Sequence, residues 1–69
     1  MTVSELYEMC DDASERTTIA VYDNRSGGRF VDYNVIFDGI FNDMSISVRQ
    51  AAVVKFSYSH LQDTLFVII

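Results

Sequence analysis

The sequence predicts an α+β fold: one N-terminal helix packed on a largely antiparallel sheet of about four strands, two hairpins joined by an irregular or short helical crossover. Three observations predict it. Apolar residues recur at helical spacing over the first dozen positions. A β-branched and aromatic run at 17–22 is followed by turn residues. Two further strand-like runs, 52–59 and 64–69, flank a short polar connection.

The helix is expected from residue 3 to about residue 12. Thr2 followed three residues later by Glu5 is a capping box, in which hydroxyl and carboxylate satisfy free N–H groups reciprocally. Val3, Leu6, Cys10 and Ala13 then share one face. Glu5, Glu8, Asp12 and Glu15 repeat the same spacing on the opposite face.

Thr17-Thr18-Ile19-Ala20-Val21-Tyr22 reads as the first strand. Asp23-Asn24-Arg25-Ser26-Gly27-Gly28 supplies turn chemistry, because Asn and Gly take positive φ at little cost. Arg29 to about Asn34 is the returning strand. Phe37, Ile40, Phe41, Met44 and Val48 have helical spacing, but Gly39 weakens a helix by about 1 kcal/mol relative to Ala. A strand end, a turn at Asp38-Gly39 and a short helical or irregular segment to about Gln50 are expected, with extension of the second strand through Asn34–Phe37 as the alternative.

Ala52, Val54, Phe56 and Tyr58 alternate with Val53, Lys55, Ser57 and Ser59, which predicts a half-buried strand. His60-Leu61-Gln62-Asp63 is its turn. Thr64 to Ile69 is apolar on both faces apart from Thr64, the pattern of a strand at the middle of a sheet or inside an interface.

The 69 residues fit one domain, 1–69. A single Cys excludes an internal disulfide, and 49% apolar composition argues against disorder. Ten acids against five bases disfavour direct nucleic-acid binding. No leader-like N-terminus or membrane-length apolar run is visible, so a cytoplasmic location, in a host cell, is expected. A small chain with neither disulfide nor metal is stabilised by a well-packed core or by association. The apolar end Leu65-Phe66-Val67-Ile68-Ile69 is the candidate surface for a homo-oligomer.

Catalysis needs convergent groups, and here they are solitary. His60, the sole imidazole, falls in a turn and reads as an exposed turn histidine. Cys10 reads as a small buried hydrophobe on the helix. No catalytic residue, cofactor or metal is expected: one Cys and one His are too few for zinc, and no carboxylate run has EF-hand spacing. Arg25, Gly27, Gly28 and Arg29 form a turn where two guanidinium groups flank backbone N–H groups able to approach a phosphate. The simpler reading is a hairpin turn with solvated arginines.

The distribution of charge is more specific. Residues 1–15 hold five acids (Glu5, Glu8, Asp11, Asp12, Glu15) and no Lys or Arg. The remaining residues balance five acids with five bases, so the first helix and its exit carry the whole charge of −5. Glu5 suits a helix N-terminus, whereas Asp11 and Asp12 oppose the dipole at the other end. A solvated face that keeps the chain soluble is one reading. A surface that docks onto a basic protein is the other.

Thr2-Val3-Ser4-Glu5-Leu6-Tyr7-Glu8-Met9-Cys10 resembles the start of small acidic proteins encoded by bacteriophages and mobile elements. In that group a short helix of the T-V-x-E-L-Y type precedes a strand like Thr18–Asp23, and a pair of strands closes the chain. The resemblance covers most of the sequence as a pattern and the first ten residues closely. Some such proteins are anti-defence inhibitors, including anti-CRISPR proteins, that occupy basic nucleic-acid sites. The resemblance therefore implies a protein target with a basic surface, met by Glu5, Glu8, Asp12 and Glu15. An oligomer that sequesters a small phosphate-containing signal through Arg25, Gly27, Gly28 and Arg29, and an assembly accessory with an exposed strand edge, are the competing readings.

Overall fold

The computed structural model describes residues 1–23 and 34–69. The chain runs α1 (Val3–Met9), β1 (Thr18–Asp23), β2 (Asn34–Ile40), a 3-10 turn (Phe41–Asp43), α2 (Ile46–Arg49), β3 (Lys55–Ser59) and β4 (Thr64–Ile68). The predicted α+β class is what it adopts.

The capping box forms as the sequence prescribes. Glu5 N–H donates to Thr2 Oγ1 at 3.1 Å, and Thr2 N–H donates to Glu5 Oε1 at 2.9 Å. Accepting the Thr2 N–H holds the Glu5 carboxyl below its ordinary pKa. The helix is shorter than its periodicity suggests and stops at Met9. Cys10 takes an extended conformation (φ −86°, ψ 101°) and leads the chain out. The last turn carries no basic side chain to offset Asp11 and Asp12 at its negative end. Two turns beyond it are tied elsewhere: Tyr7 OH donates to Ser14 O at 3.0 Å, and Ser14 N–H donates to Thr17 Oγ1 at 2.9 Å.

The sheet order is β2-β1-β4-β3. β1–β2 and β3–β4 are antiparallel, while the central pair β1–β4 is parallel, with Ile19 opposite Leu65 and Val21 opposite Val67. These directions leave edge strands β2 and β3 parallel to each other. Residues 41–54 must therefore cross the sheet to reach the far edge, as parallel strands require. They cross on the α1 side. Met44 joins the core cluster of Val3, Leu6, Ile19, Val21, Leu65 and Val67, and Phe41, Val48, Ala51 and Val53 pack against it.

β4 is the central strand that its two apolar faces predict. Leu65 and Val67 are fully buried under α1, and Ile68 and Thr64 are buried on the opposite face.

The turn expected at Asp38-Gly39 is corrected by the structure. β2 runs through both residues to Ile40, pairing Asp38 with Ala20 and Gly39 with Ile19. Gly39 is there for space rather than for a turn: a Cβ at this position would lie 3.2 Å from the Phe37 ring, which covers the glycine on the same strand face. A β-bulge between Val21 and Tyr22 shifts the register beyond Phe37. Residues 24–33, where the sequence leads one to expect a turn and the start of the returning strand, lie outside the described residues.

The second correction concerns β3. The regular strand begins at Lys55, and its apolar face is covered only in part: Tyr58 packs against the core, whereas Phe56 is 53% exposed and Val54, just before the strand, 60%. Alternation identifies which residues share a face, but coverage depends on what lies above them. Val3 and Leu6 of α1 share the core with Ile19, Val21, Leu65 and Val67 of the two central strands, and the residues before β3 meet the start of α1. There Thr2 bridges Ala52, Val3 N–H donates to Ala51 O, and Val53 N–H donates to Met1 O.

Candidate functional site

The acidic residues of 1–15 are all exposed, but they do not form one helical stripe. Glu5 and Glu8 stand on α1. Asp11, Asp12 and Glu15 belong to the turns that follow, because the helix ends at Met9. The predicted continuous face of Glu5, Glu8, Asp12 and Glu15 is thus divided between a helix and a loop. Glu5 also spends one oxygen on its own cap. Asp12 stands 3.9 Å from His60 Nε2, with both side chains largely exposed. Among the described residues, Glu8, Asp11 and Glu15 have no cation within ion-pairing distance.

His60 occupies the β3–β4 turn, as its sequence context predicts, with its ring edge-on to Tyr58 at 4.9 Å. Cys10 is a half-buried free thiol at the end of α1, rather than the buried hydrophobe expected, because the helix ends there. Among the described residues, no three of His, Cys, Asp and Glu gather as a metal site would require. No helix among them is long and apolar enough to cross a membrane. Arg25, Gly27, Gly28 and Arg29 lie outside the described residues.

The C-terminal run divides in the same way. Leu65 and Val67 have no exposed surface, and Ile68 keeps 6%. Phe66 and Ile69 are half-buried. β4 is hydrogen-bonded to neighbours on both sides, so its edge is occupied within the chain. On the face opposite α1, an apolar hollow of about 130 Å³ is lined by Lys55, Phe56, Ser57, Phe66 and Ile68.

One tight polar constellation among the described residues was not indicated by sequence spacing. It sits where β3 turns into β4. Asp63 Oδ1 accepts from Tyr58 OH at 2.7 Å and from Thr17 Oγ1 at 2.8 Å, and Asp63 O accepts from Thr18 N–H at 3.1 Å. Asp63 closes the turn with φ +45°, a conformation Asp tolerates better than most residues. The Thr17–Asp63 bond spans 46 residues, and neither side chain announces the other. The Tyr58 and Thr17 hydroxyls hold the Asp63 carboxyl below its ordinary value. The same carboxylate, with some burial, pushes the Tyr58 phenol up to about 12.

This fixes a pH dependence at both ends. Asp63 has a depressed pKa in the folded state. Its contribution is present above the unfolded carboxyl value of about 3.9 and is lost as pH falls through the lower folded value. Tyr58 has a raised pKa. Its contribution is complete below the ordinary phenol value of about 10 and is lost as pH rises through about 12. Phenolate absorbance should show a late ionisation step that disappears in Tyr58→Phe. The alkaline fall in denaturation midpoint should shrink with it. An unchanged late step in that variant would refute the assignment.

The arrangement is a structural clamp on the sheet end, with one exposed imidazole beside it. Comparison with protein-family models, with curated proteins and with solved structures finds no match to this chain.

Proposed function

We propose that this chain is a non-catalytic binding protein that docks its acidic N-terminal segment onto a basic surface of another protein. The observation that carries the proposal is the segregation of charge. Residues 1–15 hold five acids and no Lys or Arg, and the fold leaves all five at the surface. Glu8, Asp11 and Glu15 spend no charge on a cation among the described residues. Glu8 and Glu15 are therefore the principal contacts, while Asp12, which lies beside His60, and Glu5, which caps the helix, contribute what those roles leave. The similarity of the opening residues to small acidic phage proteins suggests the purpose: occupying a basic nucleic-acid site of a bacterial defence complex and so inhibiting it, within the host cell.

The test begins with partners captured from that host. Reversing Glu8 and Asp12 to Lys should weaken binding to a basic partner by one to two orders of magnitude, roughly 1.4 kcal/mol for each tenfold. The reversal should also flatten the dependence of affinity on salt. Both residues are exposed, so circular dichroism should be unchanged. Binding and salt dependence equal to those of the parent chain would remove this surface from consideration.

A further inference from the structure

We infer that two copies of this chain pair edge to edge through β3, antiparallel about a two-fold axis at Ser57, to make one continuous sheet from two four-stranded ones. The inference concerns a surface separate from the acidic segment and does not depend on it.

β3 is one of two edges in the order β2-β1-β4-β3. Exposed edges template pairing unless charge, Pro or a bulge blunts them. β3 has little of this protection. Its register with β4 is regular, the chain has no Pro, and the strand's sole charge is Lys55. β2 is better defended, with Asp38 on the strand and a bulge in its pairing with β1.

The strand is complementary to itself in one register. A two-fold axis at Ser57 uses all five residues of Lys55–Ser59. Ser57 then opposes Ser57, Phe56 opposes Tyr58, and Lys55 opposes Ser59. The aromatic pair occurs twice, and directly opposed aromatics are among the favourable cross-strand pairs. No like charges meet. An axis at Lys55 would set two ammonium groups opposite each other.

Charge favours the same occupant despite the overall value of −5. Met44 to Gln62 contains no Asp or Glu, while it carries Arg49 and Lys55. Pairing β3 with β3 therefore brings together the least acidic part of each copy. It also directs each Lys55 toward the strand end of the other copy, where Asp63 closes the turn.

The exposed apolar groups lie where the pairing would cover them. Phe56 is 53% exposed on a strand whose buried neighbours belong to β4, and Val54, just before the strand, is 60% exposed. A single five-residue edge buries less than the roughly 1,200 Å² of a stable interface, which places the dimer in the micromolar range.

Sedimentation over roughly 5 to 500 µM should show the mass rising from 7.9 kDa toward twice that value. Ser57→Lys puts like charges face to face at the axis and should raise the dissociation constant about tenfold or more. Val35→Lys on β2 should leave it unchanged. Ser57→Cys in a Cys10→Ser background should form a disulfide-linked dimer under mild oxidation, and Ser59→Cys should do so far less. This measurement holds even if Ser57→Lys folds poorly. A wild-type monomer throughout the range, a dimer indifferent to Ser57→Lys, sensitivity at Val35 instead, or no crosslink at Ser57 would each overturn the inference.

Discussion

Leu65→Ala is expected to destabilise the chain by about 3 kcal/mol, the range for emptying a fully buried leucine site. Leu65 has no exposed surface and stands on the central strand, opposite Ile19 on one side and Tyr58 on the other. A chain of this length has roughly 3–10 kcal/mol of stability in total. The variant should therefore be partly unfolded at room temperature. Leu61→Ala supplies the contrast. Leu61 is four positions away in the turn and fully exposed, so the same substitution should change stability by less than about 0.5 kcal/mol. Urea unfolding followed by circular dichroism or tyrosine fluorescence measures both, since the chain has no Trp. Similar midpoints for the two variants would contradict the central position of β4.

Arg49→Ala is expected to cost about 2 kcal/mol, more than an ordinary surface arginine. Its Nη2 donates to two main-chain oxygens of the 3-10 turn, Phe41 O at 3.0 Å and Asn42 O at 3.2 Å. Its guanidinium carbon also lies 4.5 Å from the centre of the Phe41 ring. Phe41 in turn stacks on Tyr7, with centroids 4.2 Å apart and planes within 2° of parallel. One side chain therefore joins α2 to the 3-10 turn, and Phe41 passes the contact on to α1. Hydrogen bonds from a charged donor contribute about 1.5–3 kcal/mol and a cation–π contact about 0.5–1 kcal/mol. Against this, Arg49 Nε is buried without a hydrogen-bond partner among the described residues, and truncation relieves that cost. Arg49→Lys should recover less than half of the loss, because an ammonium group cannot stack as a planar guanidinium does while reaching both oxygens. Equal stability of the Lys and Arg forms would show that charge alone matters there.

The elements of this fold were legible where their cause is local. The capping box of Thr2 and Glu5 forms as written, because both partners lie within one helical turn. The β3–β4 turn falls on His60–Asp63, and β1 (Thr18–Asp23) falls within one residue of the β-branched and aromatic run at 17–22. Elsewhere local signals were overruled. Asp38-Gly39 has turn composition, yet it continues a strand because Gly39 admits the Phe37 ring. The apolar spacing from Val3 to Ala13 suggested a longer helix, but Asp11 and Asp12 disfavour its negative end and Ser14 is tied to Tyr7 and Thr17.

The candidate site was legible in composition and illegible in shape. Counting acids by position located the charge in residues 1–15. Its division between α1 and two turns followed from where the helix stops. The Thr17–Asp63–Tyr58 clamp left no trace in spacing: Tyr58 meets Asp63 within the β3–β4 hairpin, but Thr17 meets it only when β1 lies beside β4.

By itself, then, the sequence determined the class of fold, the two-sided apolar character of β4 and the end of the chain that carries the charge. These depend on propensity, periodicity and composition, which act over a few residues. Tertiary structure decided the parallel pairing of β1 with β4, the path of residues 41–54 across the α1 face, and the exposure of Phe56 at the sheet edge. Those depend on which distant segments meet and on what lies above each strand, and short-range sequence signals encode neither.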